Sequence, residues 1–156
     1  MTVALGSKVE NFSALSNKGT INLSDYNGKY VVIYFYPKDD TPGCTTEAIG
    51  FRVLYPQFQA INAEIIGISR DSVESHTKFE CKYELPFPLV SDKGGKICEQ
   101  FAVIKQNSIL KSTPLGIIRS TFLINPEGVL LQEWRGVKVA DHAQEVLTSI
   151  EKYRNP

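Results

Sequence analysis

The sequence of 156 residues is poor in the residues that staple or metallate small folds: it has three cysteines, two histidines and one tryptophan. An odd, small number of cysteines in a chain this long excludes a disulfide scaffold. Cys44, Cys81 and Cys98 stand too far apart for the close pairs of a zinc motif, so no metal or other cofactor is expected. Neither sign of charge is in excess, with Lys+Arg 17 against Asp+Glu 17. A domain that grips nucleic acid carries a basic surplus, so nucleic acid is not an expected partner. No apolar run approaches the ~18 residues of a membrane span. The longest is Val31 to Tyr36, so no membrane partner is expected. Met1 to Lys8 lacks a basic stretch leading into an apolar one; no signal peptide is expected, and a cytoplasmic location is. There is no repeat, low-complexity tract or linker-like stretch. The length falls in the range of about 100–200 residues usual for one domain, so residues 1–156 are expected to form a single domain.

What is present is an ordinary globular composition, 42% hydrophobic and 22% charged. Phe12 to Leu15 and Ile21 to Leu23 flank the turn Asn17-Lys18-Gly19-Thr20, which predicts a hairpin. Ser24 to Lys29 is a turn. Val31 to Tyr36, continuous and rich in β-branched and aromatic residues, predicts a buried central strand. A helix then opens with Thr41 as N-cap and Pro42 in the first position. Phe51, Leu54, Tyr55 and Phe58 form one stripe on it, and Pro56 should kink or shorten it. Glu64 to Ser69 is a strand. Asp71 with Glu74 resembles a capping box opening a helix to about Glu84. Phe87 to Ser91 is a short strand, and Gly95 to Phe101 a short helix after the Gly94-Gly95 turn. Thr121 to Asn125 and Val129 to Trp134 are strands about Asn125-Pro126-Glu127-Gly128. Asp141 to Tyr153 closes the chain as a helix. The order predicts an α/β fold: a central mixed sheet flanked by helices, with an N-terminal β-hairpin extension. This is the order of a thioredoxin-like fold, which periodicity alone does not separate from other three-layer folds.

Cys44 falls just after the central strand, in the first turn of the next helix. Sites in open α/β sheets gather at the carboxyl ends of strands. Unpaired N–H groups and the positive end of the helix dipole face that point, a setting that favours a thiolate. From position alone Cys44 is either a nucleophile or a small buried residue behind a turn. Several cysteine chemistries are excluded by its neighbours. Glu47 stands where a Cys-x-x-Cys reductase needs its second cysteine, and Gly50 where a cysteine phosphatase needs arginine. A cysteine hydrolase would need His76 or His142 beside Cys44; both are read as packed helix residues. Trp134, Phe35, Tyr36 and Phe87 are read as core or pocket wall.

The string Pro37-Lys38-Asp39-Asp40-Thr41-Pro42-Gly43-Cys44 resembles the peroxiredoxin motif Pro-x-x-x-Thr-x-x-Cys. Extended from Phe35 to Glu47, it is similar to the subfamily called bacterioferritin comigratory protein or peroxiredoxin Q. Ile65 to Ser69, Leu85 to Asp92 and Arg119 to Ile124 carry the same resemblance. It implies a thiol peroxidase without metal or haem, acting on hydrogen peroxide and small organic hydroperoxides. Cys44 would attack the peroxide and become a sulfenic acid. Arg119 would supply a permanent cation with a fork of donors. Thr41 would position the peroxide through its hydroxyl, and Pro37 would shield the site. The backbone N–H groups of Gly43 and Cys44 would add donors. Glu47, one turn after Cys44, could accept from Arg52 or Arg119 but is read as an ordinary first-turn acid.

Many members carry a second cysteine five residues after the first, where this chain has Ile49. On the helix over 71–84 the apolar face falls on Val73, His76, Phe79 and Tyr83, which leaves Cys81 pointing outward. Cys98 fits the apolar stripe of its own helix and is read as structural. Some relatives place the resolving cysteine on the helix that here carries Cys81, so the resemblance implies an intramolecular Cys44–Cys81 disulfide. Its closure would require the first turn around Cys44 to unwind, with or without the Cys81 helix, and Gly43 together with Pro56 should ease this. A one-cysteine enzyme using an external thiol, or a redox sensor that does not turn over, stay open. The resemblance further implies recycling by thioredoxin or a glutaredoxin, and a monomer.

Overall fold

The computed structural model describes residues 2–105 and 116–155. Seven strands form one sheet: β1 (Ser13–Ser16), β2 (Gly19–Asn22), β3 (Tyr30–Phe35), β4 (Ala63–Ser69), β5 (Leu89–Ser91), β6 (Ser120–Ile124) and β7 (Leu130–Arg135). They lie in the order β2-β1-β5-β4-β3-β6-β7. β3, β4 and β5 are parallel, whereas the β1–β2 hairpin joins one edge and β6–β7 the other in antiparallel fashion. Among the described residues four α-helices complete the fold: α1 (Pro42–Ala60), α2 (Val73–Tyr83), α3 (Lys96–Gln100) and α4 (His142–Arg154).

β3 is the spine because both its faces are apolar. Alternate residues point to opposite sides. Val32, Tyr34 and Tyr36 therefore join one core with residues of α1, α2 and α4. Val31, Ile33 and Phe35 join a second core with Cys98, Phe101, Phe122 and the N-terminal hairpin. The mixed sheet with its hairpin edge matches the sequence expectation.

Three local features differ from it. Thr41 precedes α1 with extended backbone but does not cap it; its hydroxyl instead donates to the Lys38 carbonyl at 2.9 Å. α2 is capped by Ser72, whose side chain accepts from the Ser75 N–H. Asp71, one residue earlier, turns back to accept from the Asp39 N–H and the Ser69 hydroxyl. Pro56 does not end α1, which runs on to Ala60. Pro56 is exposed, and its ring leaves the Arg52 carbonyl without its usual helical donor.

Candidate active site

Cys44 sits in the first turn of α1, at the carboxyl end of β3. Arg119 comes from the residue before β6. Because β6 runs antiparallel to β3, with Phe35 opposite Ser120, the start of β6 meets the end of β3. That register brings together side chains 75 positions apart in sequence: Arg119 Nη2 donates to Cys44 Sγ at 3.3 Å. Cys44 is 1% exposed. Gly43 makes room for the guanidinium, since a Cβ there would stand 3.1 Å from Arg119 Nη2.

The other arm of the fork is held by Glu47. Arg119 Nη1 donates to Glu47 Oε1 at 2.7 Å. Glu47 is buried on the same stripe of α1 as Cys44, Ala48, Phe51 and Phe58. Its Oε2 has no hydrogen-bond partner among the described residues. Burial pushes the Glu47 carboxyl up to about 7, more than the guanidinium pulls it down. Burial also opposes the charge on Arg119, yet Glu47 and the Cys44 sulfur outweigh it and hold Arg119 above its ordinary range. The difference between the partners follows their exposure, 1% for the Glu47 side chain and 17% for Arg119.

Beneath this trio Tyr34 stacks on Phe51 and Tyr36, with ring centroids 4.8 and 5.5 Å apart. Its ring occupies the space beside Gly67, where an added Cβ would lie 3.0 Å from the Tyr34 hydroxyl oxygen and 2.8 Å from Leu89 Cδ2. At the rim, the Thr41 hydroxyl spends its hydrogen on Lys38 and keeps its lone pairs free to accept. Pro37 is exposed on the loop between β3 and α1.

The structure thus brings Cys44, Arg119 and Gly43 together, with Thr41 three residues before Cys44 on the same turn. Cys81 stands apart on α2, exposed, and its thiol is free, as is that of Cys44. Glu80 beside it holds the Cys81 thiol above its ordinary value. Cys98 is fully buried, and burial followed by Asp92 pushes its thiol far up, in keeping with a structural role. Glu47 is the residue the sequence reading passed over. Its signal was a charged side chain on an otherwise apolar stripe, three residues from Cys44 and so on one helix face with it. Arg52, the other candidate for Glu47, donates to the Tyr83 carbonyl instead. His76 is buried in a polar network under the Pro37–Thr41 loop, and His142 pairs with Thr121. Among the described residues, Asp39, Asp71 and His76 have metal-ligand spacing. Their atoms already bond to one another and to Tyr36, Ser69 and Ser75.

No helix among the described residues is long and apolar enough to cross a membrane. Residues 5–132 match the model of the AhpC/TSA family. The chain is 49% identical over 151 residues to peroxiredoxin Bcp of Bacillus subtilis, covering 96% of each chain. It is 49% identical over 140 residues to peroxiredoxin Bcp of Xanthomonas campestris, covering 90% of this chain and 88% of the relative. In three dimensions it matches a Xylella fastidiosa PrxQ mutant with a TM-score of 0.92 at 41% identity, over 99% of both chains. The Xanthomonas campestris bacterioferritin comigratory protein, solved as a trapped intermediate/ligand complex in work on its alkyl peroxide reduction, matches with a TM-score of 0.86 at 46% identity over 91% of each chain. The mixed sheet is that of a thioredoxin-like fold. Shared identity near one half across almost the whole length, on the same architecture, means that the chain belongs to the AhpC/TSA family, in its Bcp/peroxiredoxin Q branch.

Proposed function

We propose that this chain is a thiol peroxidase that reduces hydrogen peroxide and organic hydroperoxides at Cys44, resolves through Cys81, and is recycled by thioredoxin or a glutaredoxin. The observation that carries the proposal is the 3.3 Å contact between Arg119 Nη2 and Cys44 Sγ at the N-terminus of α1. The thiolate is the nucleophilic form of cysteine, and here a cation and a helix N-terminus face one sulfur. The sulfur attacks the terminal peroxide oxygen: an S–O bond forms, the O–O bond breaks, and the departing oxygen takes a proton as water or alcohol. Negative charge moves from sulfur onto oxygen in this step, and Arg119 Nη2 is the donor beside the sulfur while Nη1 stays on Glu47. Thr41 accepts from the peroxide O–H, and Pro37 closes the outer side of the loop. Cys81 then attacks the Cys44 sulfur; an S–S bond forms and the oxygen leaves as water. The chain works as one monomeric domain in the cytoplasm, without a cofactor.

Stoichiometric peroxide followed by disulfide mapping tests the scheme. A Cys44–Cys81 bond is expected; a Cys44–Cys98 bond, or none, refutes the resolving role. Thioredoxin-coupled NADPH consumption should show many turnovers. It should be abolished in Cys44→Ser, stall in Cys81→Ser and stay near normal in Cys98→Ser. About one turnover per chain in the wild type would instead identify a redox sensor.

A further inference from the structure

Two consecutive aspartates in the loop before α1 hold both ends of α2. Asp39 is buried, and its carboxylate accepts from the Tyr36 hydroxyl at 2.6 Å, the Ser75 hydroxyl at 2.7 Å and His76 Nδ1 at 2.7 Å. His76 Nε2 lies 2.9 Å from the Val90 carbonyl, so both ring nitrogens face acceptors. Asp40 points outward, with a positive φ of 56° that aspartate tolerates. Its carboxylate accepts from Lys82 Nζ at 2.9 Å and the Tyr83 hydroxyl at 2.8 Å. Cys81 lies between the two anchor points, in the last turn.

The anchors are unequal. His76 is fully buried and Ser75 half-buried against the buried Asp39, where separating a donor from its acceptor leaves the buried groups unsolvated. Lys82 and Asp40 are exposed, and water replaces each partner when they part. The last turn also ends on Glu84 in the left-handed conformation, at φ 52°, where glycine is the favoured residue.

Taking Cys81 as the resolving thiol proposed above, we propose that α2 opens only at its last turn, hinged after Phe79, and that the Asp40–Lys82–Tyr83 clasp is the positioning device that sets how fast Cys81 reaches the oxidised Cys44. The Asp39 anchor stays closed and keeps the catalytic loop in register. Lys82 and Tyr83 flank Cys81, so releasing their grip on Asp40 frees the thiol. Arg52, which donates to the Tyr83 carbonyl at 2.8 Å, and Lys18, 3.6 Å from Glu80 Oε1, also tether the same turn.

Three variants test this in stopped-flow oxidation of the full chain, with sulfenic acid formation and disulfide closure followed separately. Tyr83→Phe keeps the ring packed on Phe79 and removes one hydroxyl. Asp40→Asn keeps the left-handed backbone and removes the charge. Each should speed closure of the Cys44–Cys81 disulfide about three- to tenfold, the worth of one or two hydrogen bonds, and leave sulfenic acid formation unchanged. Hydrogen exchange of the amides of residues 80–84 should rise, with that of 74–78 unchanged. Ser75→Ala, which weakens the buried anchor, should lower stability without speeding closure. Equal acceleration by Ser75→Ala, or no acceleration by the clasp variants while the wild type forms the Cys44–Cys81 bond, overturns the inference. If the wild type forms no such bond, the resolving assignment fails, and the inference falls with it.

Discussion

Glu47→Gln isolates the cost of burying a carboxylate beside the reactive sulfur. The side chain keeps its shape and an oxygen for Arg119 Nη1, but it no longer titrates. In the folded protein the Glu47 carboxyl has been pushed from its ordinary 4.5 to about 7, chiefly by burial. The folded state therefore holds the proton more tightly than the unfolded chain. This contribution is complete below about pH 4.5 and is lost as pH rises through about 7. Linkage gives about 2–3 kcal/mol of stability lost between about pH 5 and pH 8, which is most of what the whole window holds. Glutamine has no such term, and every other titrating group is common to both proteins. Urea unfolding of reduced wild type and variant at the two pH values gives the difference directly. The variant should gain about 2–3 kcal/mol on the wild type as pH is raised, an order-of-magnitude figure. A difference that does not change with pH would refute the balance claimed here, in which desolvation outweighs a 2.7 Å ion pair.

Gly43→Ala should fold with little loss, since the atom it meets is the end of a flexible side chain, but should displace the Arg119 guanidinium from Cys44. We expect the second-order rate with peroxide to fall about tenfold with the melting temperature nearly unchanged; an unaltered rate would show that the 3.3 Å contact is not used. Glu80→Gln removes the neighbour that holds the Cys81 thiol above its ordinary value. More of the attacking thiolate then forms near neutrality, so disulfide closure should quicken at pH 7 and its pH profile move to lower pH, read by stopped-flow fluorescence or quenched mass spectrometry. An unmoved profile would count against Cys81 as the attacking group.

The linear pattern was enough for the parts whose cause is local. Val31 to Tyr36 announces a strand buried on both faces, and Thr41-Pro42 before an apolar stripe announces a helix start, so the strand–turn–helix that presents Cys44 was legible. The outward aim of Cys81 and the inward aim of Cys98 followed from helical periodicity, as their exposure bears out. The choice of Ser72 over Asp71 as a cap was not legible, because Asp71 is drawn away by the Asp39 N–H, a partner 32 residues distant.

Residue type and spacing could name Arg119 as a candidate through family resemblance, but they could not set its distance from the sulfur. That depends on the antiparallel pairing of β6 with β3, which aligns Ser120 with Phe35 and delivers the guanidinium to the first turn of α1. The same pairing turned Glu47 from an ordinary helix acid into a buried partner of Arg119. A charge on an apolar stripe is costly until a cation arrives from another element, and chain-distant strands must pair before that cation is in place.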